Sequence, residues 1–133
     1  MLRTRQIWIL VALSAAFWVV ATLYLKLLPG AFVDPVRGAI SFATAIPIGW
    51  LSVLLTKRAA GLSSVQLLPG VSIVGAIAMM IDGVVLRWAP QIYGSSDTVI
   101  RYGAAWLLWG YGVSFAIALF LVARRRDGAR PTN

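Results

Sequence analysis

Four long, almost unbroken apolar runs divide the chain, at residues 7–25, 39–55, 67–88 and 102–122, and the charged residues gather between and beyond them. So uniform a pattern does not separate helix from strand by period, so length decides. Each run is about as long as a helix needs to cross a hydrocarbon layer roughly 30 Å thick. Strands of a membrane barrel would be shorter and would alternate apolar with polar positions. The pattern therefore predicts an all-α fold: one four-helix transmembrane domain over residues 1–126, with helices at about 7–28, 36–56, 65–88 and 100–123.

The connections carry matching signals. Pro29, Gly30 and Pro35 mark a turn, with the second helix starting near Pro35. Segment 59–64 is short, and Ser63 with Gln66 fits a capping box for the third helix, placing Pro69 in an early turn. Segment 89–98 is the longest and most polar connection, and residues 127–133 read as a disordered tail. Leu-Leu-Pro-Gly occurs at 27–30 and 67–70, but at opposite ends of helices, so it is no tandem repeat.

Composition narrows the class further. Of 133 residues, 60% are hydrophobic and 12% charged, against nearer half and a quarter in soluble domains. A water-soluble monomer of this size has no interior large enough to hide that apolar surface. The absence of Cys and His excludes disulfides, thiol nucleophiles and histidine-dependent metal, haem and catalytic devices. No catalytic residue, metal or cofactor is expected. Arg3 and Arg5 before an apolar run resemble a secretory signal, but the run exceeds the ~7–15 residues of a signal core and lacks a small-x-small site before Lys26, so it reads as an uncleaved helix.

Orientation follows from the cations. Arg3, Arg5, Lys57, Arg58, Arg124, Arg125, Arg126 and Arg130 fall on one side; Lys26, Arg37, Arg87 and Arg101 fall on the other. The richer side is expected to be cytoplasmic, with both termini inside. The net charge of +8 then sits on that rim, where attraction to anionic lipid explains it better than nucleic acid does.

Helices in lipid associate through close packing. Ser41, Ala45 and Gly49 on helix two, Gly110, Ser114 and Ala118 on helix four, and Gly75 and Gly83 on helix three form small-residue stripes. They suit internal packing of one bundle, or else a homodimer or a contact with a larger membrane complex. Pro47 removes the bond to the Ala43 carbonyl and is expected to kink helix two.

Asp82 is the costly residue. An ionised carboxylate in the hydrocarbon core costs at least ~2.5–3.5 kcal/mol, so it must turn inward. Its depth depends on where helix three begins: near the midplane for a start at Val71, in the outer half for a start at Ser64. Arg101, Lys26, Trp106 and Tyr111 are the expected partners, either as a polar staple or as a protonatable ligand or transport site. Trp8, Trp88 and Tyr93 near span ends read as interface anchors. Trp50, Trp106, Trp109, Tyr102 and Tyr111 lie further in, where they fill the core or line an aromatic cavity.

Two stretches carry a likeness: Met79-Met80-Ile81-Asp82-Gly83-Val84-Val85-Leu86, followed by Pro90 and Tyr93, and Gly103-Ala104-Ala105-Trp106-Leu107-Leu108-Trp109-Gly110-Tyr111. They resemble a family of small bacterial four-helix membrane proteins classed as a domain of unknown function. Its third helix carries Asp followed by a small residue, and its fourth opens with Ala-Trp-Leu-Leu-Trp. The resemblance implies the fold, a bacterial inner-membrane location, and Asp82, Trp106 and Trp109 as one unit. Size and topology are also similar to small multidrug exporters, but helix one has no acid where those proteins carry a Glu. The expected role is a non-enzymatic accessory protein acting through helix–helix contacts. The alternative is a proton-coupled transporter or a ligand or lipid binder using Asp82, Arg101, Trp106, Trp109 and Tyr111.

Overall fold

A computed structural model describes residues 1–127, and within them every regular element is helical: α1 (Thr4–Leu27), a short α2 (Gly30–Val33), α3 (Pro35–Ala59), α4 (Ser64–Trp88), a 3₁₀ turn (Pro90–Ile92) and α5 (Asp97–Asp127). Among the described residues, α1, α3, α4 and α5 are long and apolar enough to cross a membrane. The expectation for the tail falls largely outside the described residues.

Local chemistry sets the boundaries. Asp34 caps α3 by accepting the Arg37 N–H at 2.8 Å, and Pro35 occupies the first helical position. Gln66 accepts the Ser63 N–H at 3.0 Å, so α4 starts at Ser64 with Pro69 in its early turns. The Ser96 hydroxyl accepts the Val99 N–H at 3.3 Å. That cap starts α5 three residues before the expected position 100, and the helix runs on past the expected 123. α3 ends in a Schellman turn: Leu62 N–H bonds the Lys57 carbonyl at 2.9 Å and Gly61 N–H the Arg58 carbonyl at 3.2 Å. The turn needs a left-handed residue, and Gly61 supplies it with φ of 58°.

Around the bundle, α1 packs on α4, α4 on α5, and α5 on α3, while α1 and α3 scarcely touch. At one end the Gln6 side chain donates to the Ala60 and Gly61 carbonyls at 3.1 and 3.2 Å, and the Arg125 guanidinium donates to Ser64 Oγ at 3.0 Å. Arg3, Arg5, Lys57, Arg58, Arg124 and Arg125 therefore share that end. Lys26, Arg37, Arg87 and Arg101 lie toward the other, where α2 and the 3₁₀ turn sit. One apolar core, with Leu10, Val53, Leu67 and Ala118, lies toward the basic end; a second, with Leu25, Phe32, Tyr93 and Leu107, lies toward the opposite end. Outward side chains such as Val19, Leu23, Ile46, Leu51, Val84 and Leu119 form an apolar belt, the surface hydrocarbon requires.

The small-residue stripes part company. Ser41, Ala45 and Ala118 are buried inside the bundle. Gly49 faces Val113 and Ser114 of α5, and Gly75 faces the Phe115 ring. Gly83 is a correction: it is exposed, and a Cβ there would meet nothing within 4 Å. It takes no part in packing this bundle. A start at Ser64 also resolves the depth of Asp82, which lies six residues before Trp88, about 9 Å from that end of α4 at 1.5 Å per residue.

Candidate functional site

The Asp82 carboxylate is buried and faces inward. Its Oδ1 accepts the hydroxyl of Tyr93, and its Oδ2 accepts the hydroxyl of Tyr111. Tyr93 in turn accepts the Trp18 indole N–H at 2.9 Å. Thus α1, α4, α5 and the connection before α5 converge on one acid. The reversal is local in origin: Ala89 N–H closes on the Val85 carbonyl at 2.8 Å, and Tyr93 N–H closes on the Pro90 carbonyl at 3.0 Å. The chain folds back over the end of α4 and returns residue 93 to residue 82. Two phenolic dipoles take the place of water at the carboxylate, through charge-assisted bonds that offset its desolvation. Burial, then the adjoining carboxylate, push the Tyr93 phenol well above the ordinary tyrosine range. Nearby, the buried Thr22 hydroxyl has no partner among the described residues.

Several expected partners lie elsewhere. Arg101 is exposed, its guanidinium 5.7 Å from the Tyr102 ring centroid; it does not meet Asp82. Trp106 and Trp109 do not form a unit with Asp82 either. Their indoles donate to consecutive α3 carbonyls, Ser41 at 3.0 Å and Phe42 at 2.9 Å. Both acceptors lie one to two turns before Pro47, so the two indoles clip α5 onto α3. Nor is Tyr93 an interface anchor, being 1% exposed. Trp8 and Trp88 are exposed at span ends, as anchors would be. Trp50, Tyr102 and Trp109 face outward. The residues that sequence reasoning missed are Tyr93 and Trp18. The signal for Trp18 was its mid-span position, because an indole N–H in hydrocarbon must find an acceptor.

A cavity of about 380 Å³ lies beside this network, lined by α1, α3, α4 and α5. The small residues Ala45, Gly49, Gly75, Gly110 and Ser114 line it, so these positions create space as well as contact. At Gly110 an added Cβ would meet nothing within 4 Å. Trp18 and Tyr111 form part of the wall, whereas Asp82 stands behind them and does not line it. One end is closed by Tyr24, Phe32 and Trp106, whose ring centroids lie 5.2–5.5 Å apart. Tyr24 donates to Ser41 Oγ at 3.0 Å, and that hydroxyl donates to the Ala31 carbonyl at 2.9 Å.

Two observations define what such a space accepts. First, its polar lining groups are already bonded. Ser52, Thr56 and Ser114 donate to the carbonyls of Ile48, Ser52 and Gly110 on their own helices at 2.8–2.9 Å. Tyr111 is turned to Asp82 and Trp18 to Tyr93. The cavity therefore offers hydrocarbon contact. Second, it opens sideways: Val20 of α1 and Ile48 of α3 both line it, yet they are 65% and 53% exposed. The mouth is the gap between α1 and α3. Comparison with family models, curated proteins and solved structures finds no match for this chain.

Proposed function

We propose that this chain is a non-enzymatic, four-span protein of the bacterial cytoplasmic membrane, both termini inside, that binds an apolar chain drawn from the surrounding lipid. The excess of cations at the end holding the termini supports the orientation. The observation that carries the binding reading is the cavity between four helices, its polar lining groups satisfied and its mouth edged by the exposed apolar side chains of Val20 and Ile48. On this reading Asp82 is a staple: it fixes Tyr111 and, through Tyr93, Trp18, and so holds two walls of the cavity in place. The proton-coupled version has less support, because Asp82 is screened from the cavity by the residues bonded to it.

An accessory role through contacts with a second copy or a larger complex is the second reading. It is favoured by the exposed Gly83 on α4, flanked by exposed Met80 and Val84. The two readings diverge in one experiment: native mass spectrometry of the protein extracted from lipid vesicles. Ligand binding predicts about one retained lipid per chain in the wild type and none in Gly110→Leu, which fills open space. A dimer that carries no lipid, and is unchanged by Gly110→Leu, supports the accessory reading instead.

A further inference from the structure

We infer that the occupant is an anionic phospholipid, with an acyl chain in the cavity and its phosphate on Lys57 and Arg58. The inference rests on the binding reading above and names the ligand class for it. The cavity lining on α3 runs from Ala45 to Thr56, eleven residues or about 16 Å at 1.5 Å per residue. That length suits an extended hydrocarbon chain lying along the helix. Ala45, Gly49 and Val53 line it at four-residue spacing, and the next position in that stripe is Lys57. Lys57 follows Val53 by one turn, about 6 Å further along and rotated only about 40°. It is half-buried, with exposed Arg58 beside it, so the apolar track ends on cationic charge.

Among the acids whose side chains are described, none lies near that charge. Asp34, Asp82 and Asp97 all lie toward the opposite end of the bundle, and Arg3 and Arg5 lie at the same end as Lys57. The mouth between Val20 and Ile48 lets a chain enter sideways from the leaflet while its headgroup stays at the rim, with no polar group crossing hydrocarbon. A zwitterionic lipid would fill the cavity equally well and gain less at the rim.

The test uses the full chain reconstituted in vesicles of equal phosphatidylglycerol and phosphatidylcholine with matched acyl chains, then native mass spectrometry after extraction. The wild type should retain phosphatidylglycerol in preference. Lys57→Gln should lower the phosphatidylglycerol-to-phosphatidylcholine ratio about fivefold, the factor equivalent to about 1 kcal/mol per basic residue at an anionic surface. Adding Arg58→Gln should lower it further, with about one lipid still bound. Arg124→Gln/Arg125→Gln removes the same charge from the same end, but from α5, where Arg125 bonds Ser64 of α4 and not the α3 stripe, and should leave the ratio unchanged. An equal fall in that control, or no preference in the wild type, overturns the headgroup assignment. Gly110→Leu, or Ala45→Leu if the first variant fails to fold by circular dichroism, should lose both lipids. If a folded blocking variant keeps its lipid, the cavity reading itself fails. If it loses lipid while Lys57→Gln leaves the ratio untouched, only the headgroup assignment fails.

Discussion

Replacing Tyr93 by Phe removes one oxygen and leaves the ring in place, so its effect isolates two hydrogen bonds. The first is the bond Tyr93 donates to Asp82, worth about 1.5–3 kcal/mol for a charged partner. The second is the bond it accepts from Trp18; comparable bonds within membrane bundles average about 0.6 and reach about 1.7 kcal/mol. Tyr93→Phe should therefore cost about 2–4 kcal/mol. Tyr111→Phe loses only the bond to the other carboxylate oxygen and should cost about 1.5–3 kcal/mol. The ordering is the sharper claim, since the difference between the two variants is the Trp18 bond. The assay is unfolding by sodium dodecyl sulfate titrated into dodecyl maltoside micelles, followed by far-ultraviolet circular dichroism. In a Trp18→Phe background the Tyr93→Phe cost should fall to that of Tyr111→Phe. A Tyr93→Phe protein as stable as wild type, or one less affected than Tyr111→Phe, would refute the reasoning.

Other outcomes can be checked in the same assay. Thr22→Val keeps the shape and removes an unpartnered buried hydroxyl, so it should be neutral or stabilising by up to about 1 kcal/mol. Gly61→Ala forces a Cβ into the left-handed residue that ends α3 and should cost about 1–2 kcal/mol. Gly110→Ala places its methyl in open space and should be tolerated, whereas Gly75→Ala presses on the Phe115 ring at 2.6 Å and should displace it, visible as a shifted Phe115 resonance. Alkaline pH should weaken the fold. Native Tyr93 holds its proton while the unfolded chain releases it, so this stabilisation is complete below the ordinary tyrosine pKa near 10 and declines as pH rises above it. Tyr93→Phe should flatten that decline.

The helical class and the four long apolar helices were legible because each rests on a local quantity: run length, a capping residue, or a Pro at a first turn. Pro35, and Ser63 with Gln66, fall where the chain pattern places them. The inward turn of Asp82 was legible as well, from the cost of charge in hydrocarbon alone. Its partners were not. Arg101 was the expected partner by charge, but it is exposed on α5 while Asp82 is buried, so the two groups make no contact. Tyr93 was obscured because its role depends on a chain reversal at Ala89 and Pro90, a tertiary event. The stripes of small residues were readable as places where bulk is missing. Whether a neighbouring helix or a void fills that missing bulk depends on how four helices pack together.

The two indole clips from α5 to the carbonyls of Ser41 and Phe42 have a mechanical consequence. They join α3 and α5 into a stiff pair, to which α4 adds the Gly75–Phe115 contact and the Asp82–Tyr111 bond. α1 packs along α4, with Gln6 bonded at one end and the Ser14 hydroxyl on the Val74 carbonyl, but among the described residues it bonds α3 and the connection before α5 only through Tyr24 on Ser41 and Trp18 on Tyr93. Any widening of the gap between α1 and α3 therefore works against two bonds made by α1 side chains, Tyr24 to Ser41 and Trp18 to Tyr93.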